Sequence, residues 1–246
     1  MIVEPSRTSQ DYSYIGHELD LFAHAIRWKK YFRVILAPYI RGRVLEVGAG
    51  LGETTRHLSD GQHESWTCLE PDAVLAERLL GAVGTLTLPR VWEVRVGNTQ
   101  TLKTGEFFDT VLYIDVLEHI EDDVSELRSA AAHLASNGLL VILSPAFPLL
   151  FSPFDRALGH FRRYTSGTLA AAMPSTLTPR LSIYLDSVGF CASLANRICL
   201  RQSMPTLRQV EFWDRRIIPL SKVIDKAVCH AFGRSIVAIY QRCEQG

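Results

Sequence analysis

The segment Val44-Leu45-Glu46-Val47-Gly48-Ala49-Gly50-Leu51-Gly52 constrains this chain most. A buried strand runs straight into three alternating glycines and then a helical pattern through about Leu58. Glycine accepts positive φ and lets backbone approach a ligand closely. In open α/β sheets, ligands bind at the carboxyl ends of the strands. Such a loop alone marks either a tight turn or a nucleotide-like ligand, so its surroundings decide. Glu46 stands two positions before the first glycine, and Glu70 ends the next strand, where a carboxylate can accept both hydroxyls of a ribose. A phosphate-binding loop would want Lys-Ser/Thr after its last glycine. Here Glu53-Thr54 follow Gly52, and a carboxylate there opposes a pyrophosphate. A nicotinamide enzyme would show GxGxxG and its own catalytic group, and neither is evident.

Short apolar runs alternate with helical patterns on both sides of this loop. Strands are expected at Val44–Val47, Trp66–Glu70, Val91–Val96, Thr110–Ile114 and Leu139–Leu143, the last apolar on both faces as a central parallel strand must be. Pro71 and Asp72 open the helix after the second strand. Val124, Leu127, Ala131 and Leu134 fall on one helical face, capped by Asp122 or Asp123 and ended by Asn137-Gly138. A first helix is expected from about Glu18 to Tyr39, with Trp28 in the core. Further strands are placed near Leu181–Leu185 and Ser235–Tyr240. Five strands in βαβ rhythm mean a parallel, doubly wound sheet.

A chain of 246 residues fits one generous domain. Its 26 basic and 26 acidic residues cancel, so no net field draws it to nucleic acid. Cys68, Cys191, Cys199, Cys229 and Cys243 lie far apart without a CxxC pair, which reads as reduced thiols and no structural zinc. The first residues lack a signal-peptide pattern, and the longest apolar run, Leu139 to Phe151, is broken by Ser144, Pro145 and Pro148. The expectation is a cytoplasmic protein without a transmembrane segment.

From Val44 to Ser144 the chain resembles the class I S-adenosylmethionine-dependent methyltransferases, and Asp115-Val-Leu-Glu118-His119-Ile120 resembles the branch found in ubiquinone biosynthesis. The resemblance implies a Rossmann-like three-layer α/β/α sandwich. Its seven-stranded sheet would be mostly parallel with one antiparallel strand, in the order 3-2-1-4-5-7-6. It implies S-adenosyl-L-methionine as cofactor, with Glu46 near its methionine end and Gly48, Gly50 and Gly52 lining it. Glu70, followed by Pro71, would bind ribose. Asn98 and Thr99 would meet adenine, although many relatives carry Asp where Asn98 stands. Asp115 completes the cofactor set.

On the acceptor side, after the fifth strand, comes Gly159-His160-Phe161-Arg162-Arg163-Tyr164. In some relatives a Glu-x-x-Glu-His segment plus a later His holds a divalent cation. Carried over by position, that set is Asp115, Glu118, His119 and His160, and it would lower an acceptor hydroxyl's pKa. In metal-free relatives the same segment shapes the pocket wall, and that reading is adopted, with no metal assigned. His160 reads as a general base or as a loop residue bonded to backbone; His119 and Tyr164 join it as candidate catalytic residues, though each also reads as packing. Arg162 and Arg163 would grip an anionic acceptor or pair with nearby carboxylates. Tyr14 belongs to an N-terminal arm that in similar enzymes folds over the cofactor, giving a lid and helix over 1–40 and a domain over 41–246. A late amphipathic helix, Pro219 to Phe232, lies in a cap-like insertion at about 200–232 and leaves cap, homodimer contact and shallow membrane docking open. The activity expected is methyl transfer to a small-molecule, sugar or lipid-type acceptor, at oxygen. A catalytically inactive cofactor-binding partner subunit is the alternative.

Overall fold

The computed structural model describes residues 18–82, 89, 91–199 and 205–243. Seven strands form one sheet: β1 (Arg43–Val47), β2 (Ser65–Glu70), β3 (Val91–Val96), β4 (Phe108–Ile114), β5 (Leu134–Pro145), β6 (Leu177–Leu185) and β7 (Ser235–Arg242). Their order is β3-β2-β1-β4-β5-β7-β6. Neighbours from β3 to β5 pair in parallel, while β7 runs antiparallel to both β5 and β6. The strand order and the single antiparallel strand are those expected from the sequence.

Helices cover both faces, because the inner strands are apolar on both. In β5, Leu139, Val141 and Leu143 enter one core and Leu140 and Ile142 the other. The first core is closed by α1 (Glu18–Ala23), α2 (Ile26–Leu36), α3 (Glu53–Leu58) and α4 (Ala73–Gly81). The second is closed by α5 (Asp123–Ala132) and α7 (Ser166–Ala172), while the short α6 (Pro153–Ala157) lies between β5 and α7. Trp28 sits in the first core. Between β6 and β7 come α8 (Ser187–Cys199), α9 (Leu207–Phe212), a π-helical turn (Trp213–Ile217) and α10 (Ile218–Ala227).

Three local expectations are corrected. The helix expected over Glu18–Tyr39 is two helices with a break at His24–Ala25, ending in a 3-10 turn. Caps from distant sequence stabilise the break. Asp214 accepts from the N–H groups of Arg27 (3.1 Å) and Trp28 (2.8 Å), and the Lys29 ammonium donates to the carbonyls of Phe22 and Ala23. Secondly, α5 stops at Ala132, and Asn137-Gly138 lie inside β5 rather than ending the helix. Asn137 takes φ 60°, and the pairing with β4 shifts register between Phe108 and Thr110.

The third correction concerns the late helix. It is one helical run from Leu207 to Ala227, and the π-turn sits just before Pro219, whose ring nitrogen cannot donate an i→i−4 bond. It was expected over Pro219–Phe232 and ends at Ala227. Leu220 (51% exposed) and Val223 (66%) face solvent, while Ser221 and Asp225 are fully buried. The Asp225 carboxylate accepts from the N–H groups of Asp186 and Ser187 and from the Tyr31 hydroxyl, and Ser221 donates to Asp186 at 2.6 Å. These bonds tie α10 to the turn after β6 and to α2. Removing the carboxylate leaves three buried donors unpaired, at about 1–3 kcal/mol each. Asp225→Ala is therefore expected to lose about 3 kcal/mol or more in urea unfolding; a loss under about 0.5 kcal/mol would show the network to be dispensable.

Candidate active site

The glycine loop lies at the carboxyl edge of β1. Gly48 (φ 67°), Gly50 (55°) and Gly52 (78°) all occupy the left-handed region. A Cβ on Gly48 would also sit 2.6 Å from Val116, so the loop and the turn after β4 pass within contact distance. Glu70 locks this arrangement. Its Oε2 accepts from Gly50 N–H (2.8 Å) and its Oε1 from Asp72 N–H (3.0 Å), across the Pro71 turn. Burial raises its pKa above the usual carboxylate range, and the two N–H bonds work against that rise. A carboxylate offers about four acceptor positions, so two remain for ribose hydroxyls.

Glu46 points behind the loop. Its Oε2 accepts from the Thr55 hydroxyl (2.6 Å) and the Trp66 indole (2.8 Å), and its Oε1 has no hydrogen-bond partner. Burial pushes its pKa up to about 7. At the edge of β3, the Asn98 carboxamide oxygen accepts from Gln100 N–H and starts a 3-10 turn, leaving one lone pair free. Thr99 is fully buried and donates to Glu126, which also accepts from Tyr113, so its hydroxyl turns toward α5.

Asp115 follows β4 at φ 54°. It is exposed to solvent, although protein atoms crowd around it. Burial raises its pKa, while His160, Arg234 and Lys29 pull it back. Glu118 is enclosed: Oε2 accepts from the Ser144 hydroxyl at 2.6 Å, and Oε1 has no partner. Its pKa is raised by burial and by Asp115.

The rings of His119 and His160 meet edge to face, with centroids 4.5 Å apart. One ligand atom each from Glu118, His119 and His160 fall within 4.8 Å of one another, and Asp115 is not in that group. Burial, with His160 beside it, lowers His119 to about 4, so its ring is neutral at pH 7. His160 Nδ1 lies 3.1 Å from Asp155 Oδ1. Asp155 also accepts from Arg163 and Ser152 and lies well below the usual carboxylate range despite its burial. A carboxylate only accepts, so Nδ1 carries the proton and Nε2 presents a lone pair.

The neighbouring candidates are engaged elsewhere. Arg163 is tied to Asp155 and to the Ala146 carbonyl. Arg162 pairs with Asp123 at 2.6 Å and donates to the Glu121 carbonyl. Tyr164 is buried, donating to Asp123 at 2.7 Å. Tyr14 and the rest of the arm lie outside the described residues. Sequence reasoning missed Asp155, although Ser152-Pro153-Phe154-Asp155 has the spacing of a helix start and Asp155 closes that capping box. It also missed Arg234, which opens β7, lies over the Trp213 ring at 4.3 Å and sits 3.7 Å from Asp186; no motif marks it.

With this geometry in view, the comparisons can be read. The family described as "Methyltransferase domain" matches residues 20–175. Among solved structures, the N-methyltransferase NodS of Bradyrhizobium japonicum WM9, in complex with S-adenosyl-L-homocysteine, is 15% identical with TM-score 0.55, covering 89% of this chain and 88% of NodS. A Haloferax volcanii protein described as a methyltransferase, in complex with the Trm112 methyltransferase activator, is 12% identical with TM-score 0.63, covering 93% and 95%. An S-adenosylmethionine-dependent methyltransferase of Mesorhizobium loti is 16% identical with TM-score 0.57, covering 86% and 96%. No curated protein matches. At these identities the neighbours establish the fold, and the domain match establishes the family.

The buried Glu46 supplies a pH signature. Its folded pKa of about 7 exceeds the unfolded value near 4.3, so its contribution is full below about pH 4.3 and is lost as pH rises to about 7. Relative to Glu46→Gln, the natural chain is expected to lose stability across that interval and to run parallel above it. Parallel curves throughout would mean the carboxylate is ionised when folded. The glycine cradle, the strand-end acid and the matched domain together place this chain in a family: it belongs to the class I S-adenosylmethionine-dependent methyltransferases.

Proposed function

We propose that this enzyme methylates an oxygen of a small-molecule, sugar or lipid-type acceptor, with His160 receiving the acceptor's proton. The observation that carries this reading is the Asp155–His160 pair: a carboxylate holding Nδ1–H leaves Nε2 basic, next to the water-reached Asp115. The cofactor fits the residues present. Gly48, Gly50 and Gly52 would line it, Glu70 would accept from its ribose, Asn98 would meet adenine, and Asp115 would face it from β4. S-adenosylmethionine, when bound, supplies a methyl on a positively charged sulfur, open to in-line attack. In the transfer the acceptor's O–H proton passes to Nε2, an O–C bond forms and the C–S bond breaks. Asp155 steadies the imidazolium, and Arg163 keeps Asp155 ionised. No covalent enzyme intermediate is needed, and rate comes from alignment and exclusion of water.

In this reading residues 1–40 act as a lid over the domain that follows. The anchoring of α1 supports it: Lys29 holds the carbonyls of Phe22 and Ala23, and the Phe22 ring meets both Phe154 and Trp213.

A second reading, a divalent cation held by Glu118, His119 and His160, is favoured by their 4.8 Å grouping and by the unpartnered Glu118 Oε1. Asp155 would then orient a ligating histidine. Two imidazoles and one carboxylate suit zinc, manganese or iron.

Three measurements test these readings. Calorimetry with S-adenosyl-L-homocysteine on Glu70→Ala should show affinity reduced at least tenfold; unchanged affinity removes Glu70 from the site. His160→Ala should lower turnover by about 10²–10⁴-fold with homocysteine-adduct binding intact. If dialysis against a chelator abolishes turnover and zinc or manganese restores it, the cation reading replaces the base.

A further inference from the structure

The late helix buries two of its acids along with its inward apolar residues. Its inward face carries Val210, Trp213, Asp214, Ile218, Ser221 and Asp225. Its outward face shows Phe212 (60% exposed), Leu220 and Val223, with Arg216 on the same stripe at helical spacing. Two of the three acids between Pro205 and Ala231 are therefore withdrawn from the surface: Asp214 caps α2 and Asp225 binds the turn after β6. Only Glu211 remains outside, 3.9 Å from Arg215. Facing it are Arg208, Arg215, Arg216, Lys222 and Lys226. A segment whose charges look mixed in sequence is strongly cationic at its surface.

Helix α2 continues this surface. Ile26, Lys30 and Val34 form its outer stripe, with Val34 72% exposed, and its sequence holds no acid. A groove of about 270 Å³ joins the two helices, lined by His24, Ile26, Arg27, Lys30, Glu211, Asp214 and Arg215. Asp214 is already bonded to backbone, so the groove's remaining chemistry is three strong cations around one carboxylate.

Exposed apolar residues interleaved with cations are a poor fit to water and a good fit to the boundary between lipid headgroups and acyl chains. No described helix is long and apolar enough to cross a membrane, so the helix would lie on the surface. We propose that the outer face of α2 and the 207–227 helix docks on an anionic lipid bilayer, with Ile26, Phe212, Leu220 and Val223 entering the interface and the cations meeting lipid phosphates. The charge complementarity selects anionic lipid: a zwitterionic bilayer has no net negative charge to attract the cations, and a second copy of the chain would set this cationic face against itself. The inference deepens the proposed reading by selecting lipid-type acceptors, since Phe22 links the docked helix (through Trp213) to Phe154 beside the acceptor side.

The test is flotation of the full chain with vesicles of 70% phosphatidylcholine and 30% phosphatidylglycerol, against vesicles of phosphatidylcholine alone. Binding is expected to the anionic vesicles only and to weaken between 50 and 500 mM salt. Arg215→Gln with Arg216→Gln should weaken it roughly fivefold per cation, and Leu220→Ser with Val223→Ser should weaken it further. Each variant should keep its melting temperature and its affinity for S-adenosyl-L-homocysteine, which separates failure of docking from failure of the cofactor assignment. Absence of binding to anionic vesicles at low salt, equal binding to both vesicles, binding unchanged in both double variants, or a stable dimer in light scattering that leaves the vesicles unbound, would each overturn it.

Discussion

One carboxylate holds the cofactor crevice together. Glu70 bonds to the glycine loop after β1 and to the turn that starts α4, so the edges of two adjacent strands are fixed by a single side chain. Without it, Gly50 N–H would lose its acceptor, and the loop would rest on the bonds of Gly48 and Ala49 to the Leu69 carbonyl and of Gly52 to the Ala49 carbonyl. The strand-end position of the acid follows from the parallel sheet: every parallel strand delivers its last residues to the same edge, where side chains leave the core and can meet a ligand. The same logic gathers Asp115 after β4 and the imidazoles beyond.

The central fold was legible because its strands are short, apolar and regularly separated by helices, a rhythm that few architectures share. Strand order came from the family resemblance, and the pairings agree. What escaped was set by long-range contacts. The break between α1 and α2 depends on Asp214 and Lys29, one of them far away in sequence, whereas helical periodicity runs through the gap unchanged. The orientation of α10 was not legible for the same reason. Hydrophobic spacing names an apolar stripe, but Leu220 and Val223 on it are exposed, while Ser221 and Asp225 are buried beside Ile218 by the partners they find.

The candidate site shows a similar division. The glycines and Glu70 were readable, since backbone conformation and strand position constrain them locally. For Arg162 and Arg163 pairing with nearby carboxylates was one of the readings, but which carboxylates was not legible, because Asp123 and Asp155 come from other elements, as does Tyr164's acceptor Asp123. Asp155 carries several tasks at once. It caps α6, neutralises Arg163 and fixes the tautomer of His160. Placing an anion beside an imidazole is costly in a low-dielectric site unless it has such partners, and here the partners are built into the same short loop.

The capping of α2 by Asp214 also bears on how the chain is made. Synthesis releases the amino-terminal segment first, and a helix as short as Ile26–Leu36 is marginal on its own. Its first turn receives its acceptor from a residue 186 positions further along the chain. The apolar side of α2 can meet β1 and α3 early, but its amino-terminal end waits for Asp214, so the completed first layer is a late event in biogenesis and the nascent protein is most open to chaperones over that interval.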